Sequence, residues 1–179
     1  MSVKIGYIVG SLSSNSINRA VFNAVKAHAP ENVEIVEIPI NELPVYSPDF
    51  DGDYPEVARN FKAAIEGADA VIVSTPQYND SLSGAVKNAV DWSSRPWGEH
   101  SFNGKPVAVA TASIAPHGGA KAGSFLAAIL EFGQAKVVET QLNVFVNEDT
   151  FTPEGHFSDA AHAETAVALI NSVVAHAGK

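Results

Sequence analysis

Residues 3–28 read VKIGYIVGSLSSNSINRAVFNAVKAH, and the change of period within them decides the architecture. Residues 3–9 are an apolar, β-branched run, the pattern of a strand. From Ile17 onward, Ile17, Ala20, Val21, Ala24 and Val25 recur at helical spacing and share one face, which predicts a helix over 17–28. The small polar segment 10–16 joins the two. The same alternation repeats along the chain. Apolar runs at 33–38, 70–74, 106–111 and 137–146 predict four more strands. Helical periodicity at 57–66, 84–92, 119–132 and 159–175 predicts four more helices; Ala122, Phe125, Leu126, Ile129 and Leu130 form the buried side of the fourth helix in the chain. Strands that alternate with helices must pair in parallel through right-handed crossovers, with helices on both faces. The expectation is an α/β doubly wound three-layer sandwich, its five-stranded parallel sheet in the order 2-1-3-4-5. Ligands then sit beyond the carboxyl ends of strands 1, 3 and 4, in the loops after Val9, Ser74 and Thr111.

Composition narrows the function. The 179 residues suit a single domain over 1–179. With 46% apolar and 17% charged residues, and no run near the ~18 apolar residues a membrane span needs, the chain reads as neither disordered nor an integral membrane protein. The absence of Cys excludes disulfides, thiolate metal sites, iron–sulfur clusters and Cys nucleophiles. Eleven Lys plus Arg against twenty Asp plus Glu give a net charge of -9, so nucleic acid and membrane surfaces are not expected partners. Residues 1–10 lack the pattern of a secretory leader, and the expected compartment is cytoplasmic. The Pro- and Asp-rich stretch 39–55 reads as a surface loop. Its carboxylates Glu42, Asp49, Asp51 and Asp53, with Glu56 beyond, read as a solvated face rather than a metal cluster.

The three loops carry the chemistry. Gly10-Ser11-Leu12-Ser13-Ser14-Asn15-Ser16-Ile17-Asn18 sets small hydroxyl and amide side chains at the positive end of a helix, a cradle suited to a phosphate. It is neither a Walker A loop nor the Gly-x-Gly-x-x-Gly fingerprint. The same serines also read as simple helix caps. Pro76-Gln77-Tyr78-Asn79, an aromatic and two amides at the mouth of the sheet crevice, suits a planar heterocycle; equally, Tyr78 reads as an ordinary loop aromatic and Asn79 as a turn former.

At these loops the chain resembles the NADPH-dependent FMN reductase family, flavodoxin-like proteins that include quinone and chromate reductases and azoreductases. The resemblance rests on Gly10-Ser11-Leu12 with Ser16 and Asn18 downstream, and on Pro76 to Asn79 followed by Lys87-Asn88-Ala89-Val90-Asp91-Trp92. Ser113, Gly118 and Gly119 also match a third family segment, with Ala115 where a Gly is usual. The resemblance implies a flavodoxin-like sandwich binding FMN, with NADPH or NADH as electron donor. Ser11, Ser13, Ser16, Ile17 and Asn18 would hold the phosphate; Pro76, Gln77, Tyr78, Asn79, Ser113 and Gly118 would border the flavin ring. No catalytic acid or base is implied, because the cofactor carries the hydride chemistry. Ser13 stands where the family commonly has Arg, and Arg19 is a candidate to replace it. Gln77 and Ser83 stand for the usual Glu and Pro.

The expected function is an FMN-dependent NAD(P)H oxidoreductase that passes hydride to a small acceptor such as a quinone, free flavin or azo compound. The alternative is a flavodoxin-like electron carrier without dedicated turnover, which the acidic surface would suit. A hydrolase lacks the Gly-x-Ser-x-Gly elbow. His28, His100, His156, His162 and His176 read as surface or packing residues, whereas His117 lies in the third loop. Trp92, Ser93, Arg95, Pro96 and Trp97 have the composition of an interface, and the resemblance implies a homodimer or homotetramer. Lys87 and Asp91 belong either to that interface or to an exposed i,i+4 pair.

Overall fold

The computed structural model describes residues 2–177. Its strands are β1 (Val3–Val9), β2 (Val33–Glu37), β3 (Ala70–Tyr78), β4 (Ser81–Leu82), β5 (Pro106–Ser113) and β6 (Lys136–Phe145). The helices are α1 (Ile17–Ala27), α2 (Glu56–Glu66), α3 (Gly84–Ser93), α4 (Ala120–Phe132) and α5 (Ala160–Ala177). The sheet runs β2-β1-β3-β5-β6, every pair parallel. Counted over the long strands, this is the expected 2-1-3-4-5 order.

Alternation along each strand divides the core between two faces. Tyr7, Val9 and Ile72 pack with Val21, Val25, Leu169, Ile170 and Val173 of α1 and α5. Ile8, Val71, Val73, Val107 and Val109 face the other way, onto Phe61, Ile65, Trp92, Leu126 and Leu130 of α2, α3 and α4. Full burial of each such aliphatic side chain contributes roughly 1.5–3 kcal/mol. None of the helices among the described residues is long and apolar enough to cross a membrane.

Two expectations change. β3 continues past Ser74 to Tyr78, then reverses through Asn79 and Asp80 (φ 48° and 65°) into the antiparallel β4. The apolar run in the sequence stops at Ser74, before Pro76. However, β1 ends opposite Ser74, so from Thr75 onward β3 has no neighbour on the β1 side, and an edge tolerates Pro. Two positive-φ residues form the tight hairpin turn whose twist matches its strands.

The stretch 39–55 is also more than a solvated loop. Tyr46, Phe50 and Tyr54 surround Trp92, with ring centroids 5.2, 5.4 and 5.4 Å away. Trp92 Nε1 and Asn88 Nδ2 both donate to the Pro44 carbonyl, at 2.7 and 2.9 Å. Asp51 is ion-paired with Arg95, while Glu42, Asp49, Asp53 and Glu56 are exposed. The aromatic residues, not the carboxylates, determine how this segment folds. Trp92 is therefore core, and Arg95 serves an internal clamp rather than a partner.

Candidate active site

The carboxyl ends of β1, β3 and β5 converge on one cavity. Ser11, Ser13, Asn15, Ser16, Ile17 and Asn18 form one side of it, Pro76, Gln77 and Tyr78 the second, and Ala112, Ser113 and Ile114 the third. Depressions of similar size lie elsewhere, one beside α2 and one at the amino ends of the strands. Location at the switch point of the sheet and an unsatisfied polar group, rather than size, single out this one.

The first loop is held by close backbone packing. Gly10 N–H donates to the Ser74 carbonyl at 2.9 Å, and a Cβ at Gly10 would lie 2.2 Å from that same oxygen. Ser83 Oγ donates to the Gly10 carbonyl at 2.5 Å and accepts from Val86 N–H at 3.2 Å, so one hydroxyl caps α3 and ties it to the loop. Ser16 is the N-cap of α1, its Oγ accepting from Arg19 N–H at 3.2 Å. It therefore caps and lines the cavity at once. The first turn of α1 contains no acidic side chain, leaving its positive dipole end uncompensated.

Asn18 is the decisive residue. It is 0% exposed, lines the cavity, and neither amide atom has a partner among the described residues. An amide buried unpaired costs roughly 1–3 kcal/mol, a cost that a ligand donating to and accepting from it would remove. Arg19 does not take the place of the missing Arg: both guanidinium nitrogens engage Glu37, one at 2.7 Å. The side chains lining this side of the cavity are thus all neutral.

On the second side, the Gln77 amide is oriented at both ends. Nε2 donates to Asp80 Oδ1 and Oε1 accepts from Ala122 N–H, each at 3.4 Å. Asp80 is ion-paired with Lys121 of α4. Tyr78 is 53% exposed at the mouth. Asn79 lies in the turn outside the lining.

On the third side, Ser113 Oγ accepts from Ala115 N–H at 3.1 Å. Ala115 is not among the positive-φ residues, so no Gly is required there. Gly118 (φ 59°) is required: a Cβ would lie 2.9 Å from the Asn143 carbonyl carbon. It shapes the loop from behind rather than lining the cavity. Thr111 Oγ1 lies 2.7 Å from both the Gly118 carbonyl and Asn143 Oδ1. One hydroxyl proton serves one of these, and turning the Asn143 amide lets its N–H supply the other. His117 Nδ1 accepts from Gly119 N–H at 3.0 Å, stabilising the turn.

The cavity thus brings together nine of the eleven expected residues, all but Asn79 and Gly118. Asn15 belongs to the first loop but was not singled out, and Ala112 and Ile114 were not expected; Ile114, 78% exposed, lies in the third loop directly after Ser113. Lys87 and Asp91 form the exposed i,i+4 pair, Nζ lying 2.6 and 2.7 Å from the two carboxylate oxygens.

Residues 3–148 match the sequence pattern of a family described as NADPH-dependent FMN reductase. A 2-hydroxy-1,4-benzoquinone reductase from Burkholderia sp is 40% identical over 149 residues, 83% of this chain and 81% of that protein. An NAD(P)H-dependent FMN reductase from Pseudomonas aeruginosa is 37% identical over 131 residues, 73% of this chain and 70% of the relative. Among solved structures, FerB from Paracoccus denitrificans, a flavoenzyme NAD(P)H:(acceptor) oxidoreductase, superposes with a TM-score of 0.90 at 29% identity, covering 97% of this chain and 98% of FerB.

Proposed function

We propose, from the premise that this chain belongs to the NADPH-dependent FMN reductase family, that the cavity at the ends of β1, β3 and β5 is its flavin site. The protein is an NAD(P)H-dependent FMN oxidoreductase of the quinone reductase kind. The buried, unpartnered amide of Asn18 carries the site assignment, because it sits among neutral donors at an uncompensated helix N-terminus. That donor set fits an FMN phosphate.

In this reading Ser11, Ser13, Ser16, Ile17 and Asn18 hold the phosphate, and Pro76, Gln77, Tyr78 and Ser113 border the ring. Asn79 and Gly118 contribute by shaping the turns that carry Tyr78 and Ser113. When bound, FMN supplies the redox chemistry, accepting hydride from NAD(P)H and passing it to the acceptor. The residues bind, orient and leave one side open. Tyr78 is the only titratable side chain in the lining, in keeping with a site that requires no general acid or base. Tyr78 and Ile114 expose apolar surface at the mouth, which suits a small planar acceptor, a quinone by analogy with the benzoquinone reductase.

We assign the 179 residues to one FMN-binding domain acting in the cytoplasm, where its nicotinamide donor is abundant. A homodimer or homotetramer is supported by exposed Trp97 and Phe132 at a groove between α3 and α4. The test is the visible spectrum of purified protein after FMN addition and gel filtration, followed by anaerobic NADPH or NADH. Retained flavin bands that bleach are expected. Retained bands that neither nucleotide bleaches would replace the reductase with an electron carrier, and failure to retain flavin would overturn the site.

A further inference from the structure

The carboxyl-end face, where any dinucleotide must lie, is almost free of cations. The connecting segments 10–16, 38–55, 79–83, 114–119 and 146–159 contain no Lys or Arg, yet they carry carboxylates such as Asp80, Glu148 and Asp149. Cations first appear inside the helices that follow. Arg19 is paired with Glu37, Arg59 with Asp53, Lys87 with Asp91, and Arg95, beyond α3, with Asp51 of the 38–55 segment. Lys121, the second residue of α4, is paired with Asp80. Of these pairs, Asp80–Lys121 is joined to the cavity wall through its side chains, by the bond from Gln77 Nε2 to Asp80.

NADPH differs from NADH by a 2′-phosphate, and selecting it requires a cation free to bond that dianion. We propose that Asp80 and Lys121 form the donor-specificity element, and that the Asp80 carboxylate withholds a preference for NADPH by neutralising the cation beside the site. The inference rests on the reductase reading above. Both side chains are more than half exposed, at 61% and 55%, so the pair is weak and Lys121 is exchangeable. Asp80 has the shorter reach: its backbone sits in the hairpin turn at φ 65°, and its Oδ1 accepts from Gln77 Nε2 at 3.4 Å. A 2′-phosphate reaching Lys121 therefore meets a nearby carboxylate as well, and attraction and repulsion largely cancel.

The test measures kcat/KM for NADPH and NADH at low and high salt in the FMN-loaded wild type, Asp80→Asn, Lys121→Gln and the double variant. Asn tolerates positive φ well, so Asp80→Asn preserves the turn. The wild-type NADPH/NADH ratio is expected at or below about one. Asp80→Asn raises it about five- to tenfold at low salt, a gain that fades as salt screens the exposed charge. Lys121→Gln lowers it, and the double variant returns close to wild type. Calorimetric binding of adenosine 2′,5′-bisphosphate against 5′-AMP gives the same ranking without turnover. A strong wild-type preference for NADPH, or an Asp80→Asn ratio within about twofold of wild type at low salt, overturns the inference. If loaded wild type oxidises neither nucleotide, the reductase reading fails instead.

Discussion

Asn18 shows how one residue can matter more to a ligand than to the fold. Its amide is buried with no partner, so the unliganded protein carries a desolvation cost that a bound phosphate or polar ligand relieves. Asn18→Ala is expected to weaken FMN binding about tenfold, equivalent to about 1.4 kcal/mol, without lowering the melting temperature of the flavin-free protein. Flavin fluorescence titration and thermal melts measure the two separately. A variant that loses stability as much as affinity would make Asn18 a structural residue. Position 13 tests the opposite change. Ser13→Arg adds a planar cation to a cradle of neutral donors, and tighter FMN binding is expected at low salt, with the gain shrinking as salt rises. Gly10 and Gly118 have a different role: each lacks a Cβ because backbone occupies that space.

At the scale of elements, α3 connects the site to the rest of the molecule. Its N-cap Ser83 bonds the Gly10 carbonyl of the first loop, and Trp92 in its last turn anchors residues 39–55 through Pro44 and three aromatic rings. The Arg95–Asp51 bond closes that segment from outside. Arg95 holds the Asp51 carboxyl below its ordinary value of 3.8, with a smaller contribution from the Tyr46 hydroxyl. A carboxylate depressed in the folded state stabilises it above the ordinary pKa and loses that effect as pH falls through the folded value. Asp51→Asn should therefore melt below wild type at pH 7, with the difference disappearing as pH falls below the ordinary Asp range. A difference that persists unchanged in acid would refute the clamp.

At the scale of the whole molecule, an acidic chain leaves several large apolar side chains exposed. The chain carries a net charge of -9, while Trp97 and Phe132 remain exposed at one groove between α3 and α4. Phe132 is 74% exposed and borders that groove together with Trp97. Phe132→Glu is expected to convert the assembled protein to monomer in sedimentation experiments, with folding intact by circular dichroism. A wild type that sediments as a monomer would remove the proposed assembly.

The alternation of period in residues 3–28 and its repeats determined the strands, the layers and the three loops, because burial on both faces of a parallel sheet leaves a local pattern in every strand and helix. The Gly-Ser-Leu and Pro-Gln-Tyr-Asn runs marked two sides of the cavity for a similar reason: small residues and amides at strand ends can be read without knowing what packs behind them. Tertiary structure alone decided the rest. Whether Arg19 faced a phosphate or Glu37 depended on where β2 ends. The extension of β3 through Pro76 depended on β1 stopping at Val9. The folding of residues 39–55 onto Trp92, the Asp80–Lys121 pair and the lack of partners for Asn18 each join residues far apart in the chain, and no local period records a contact of that kind.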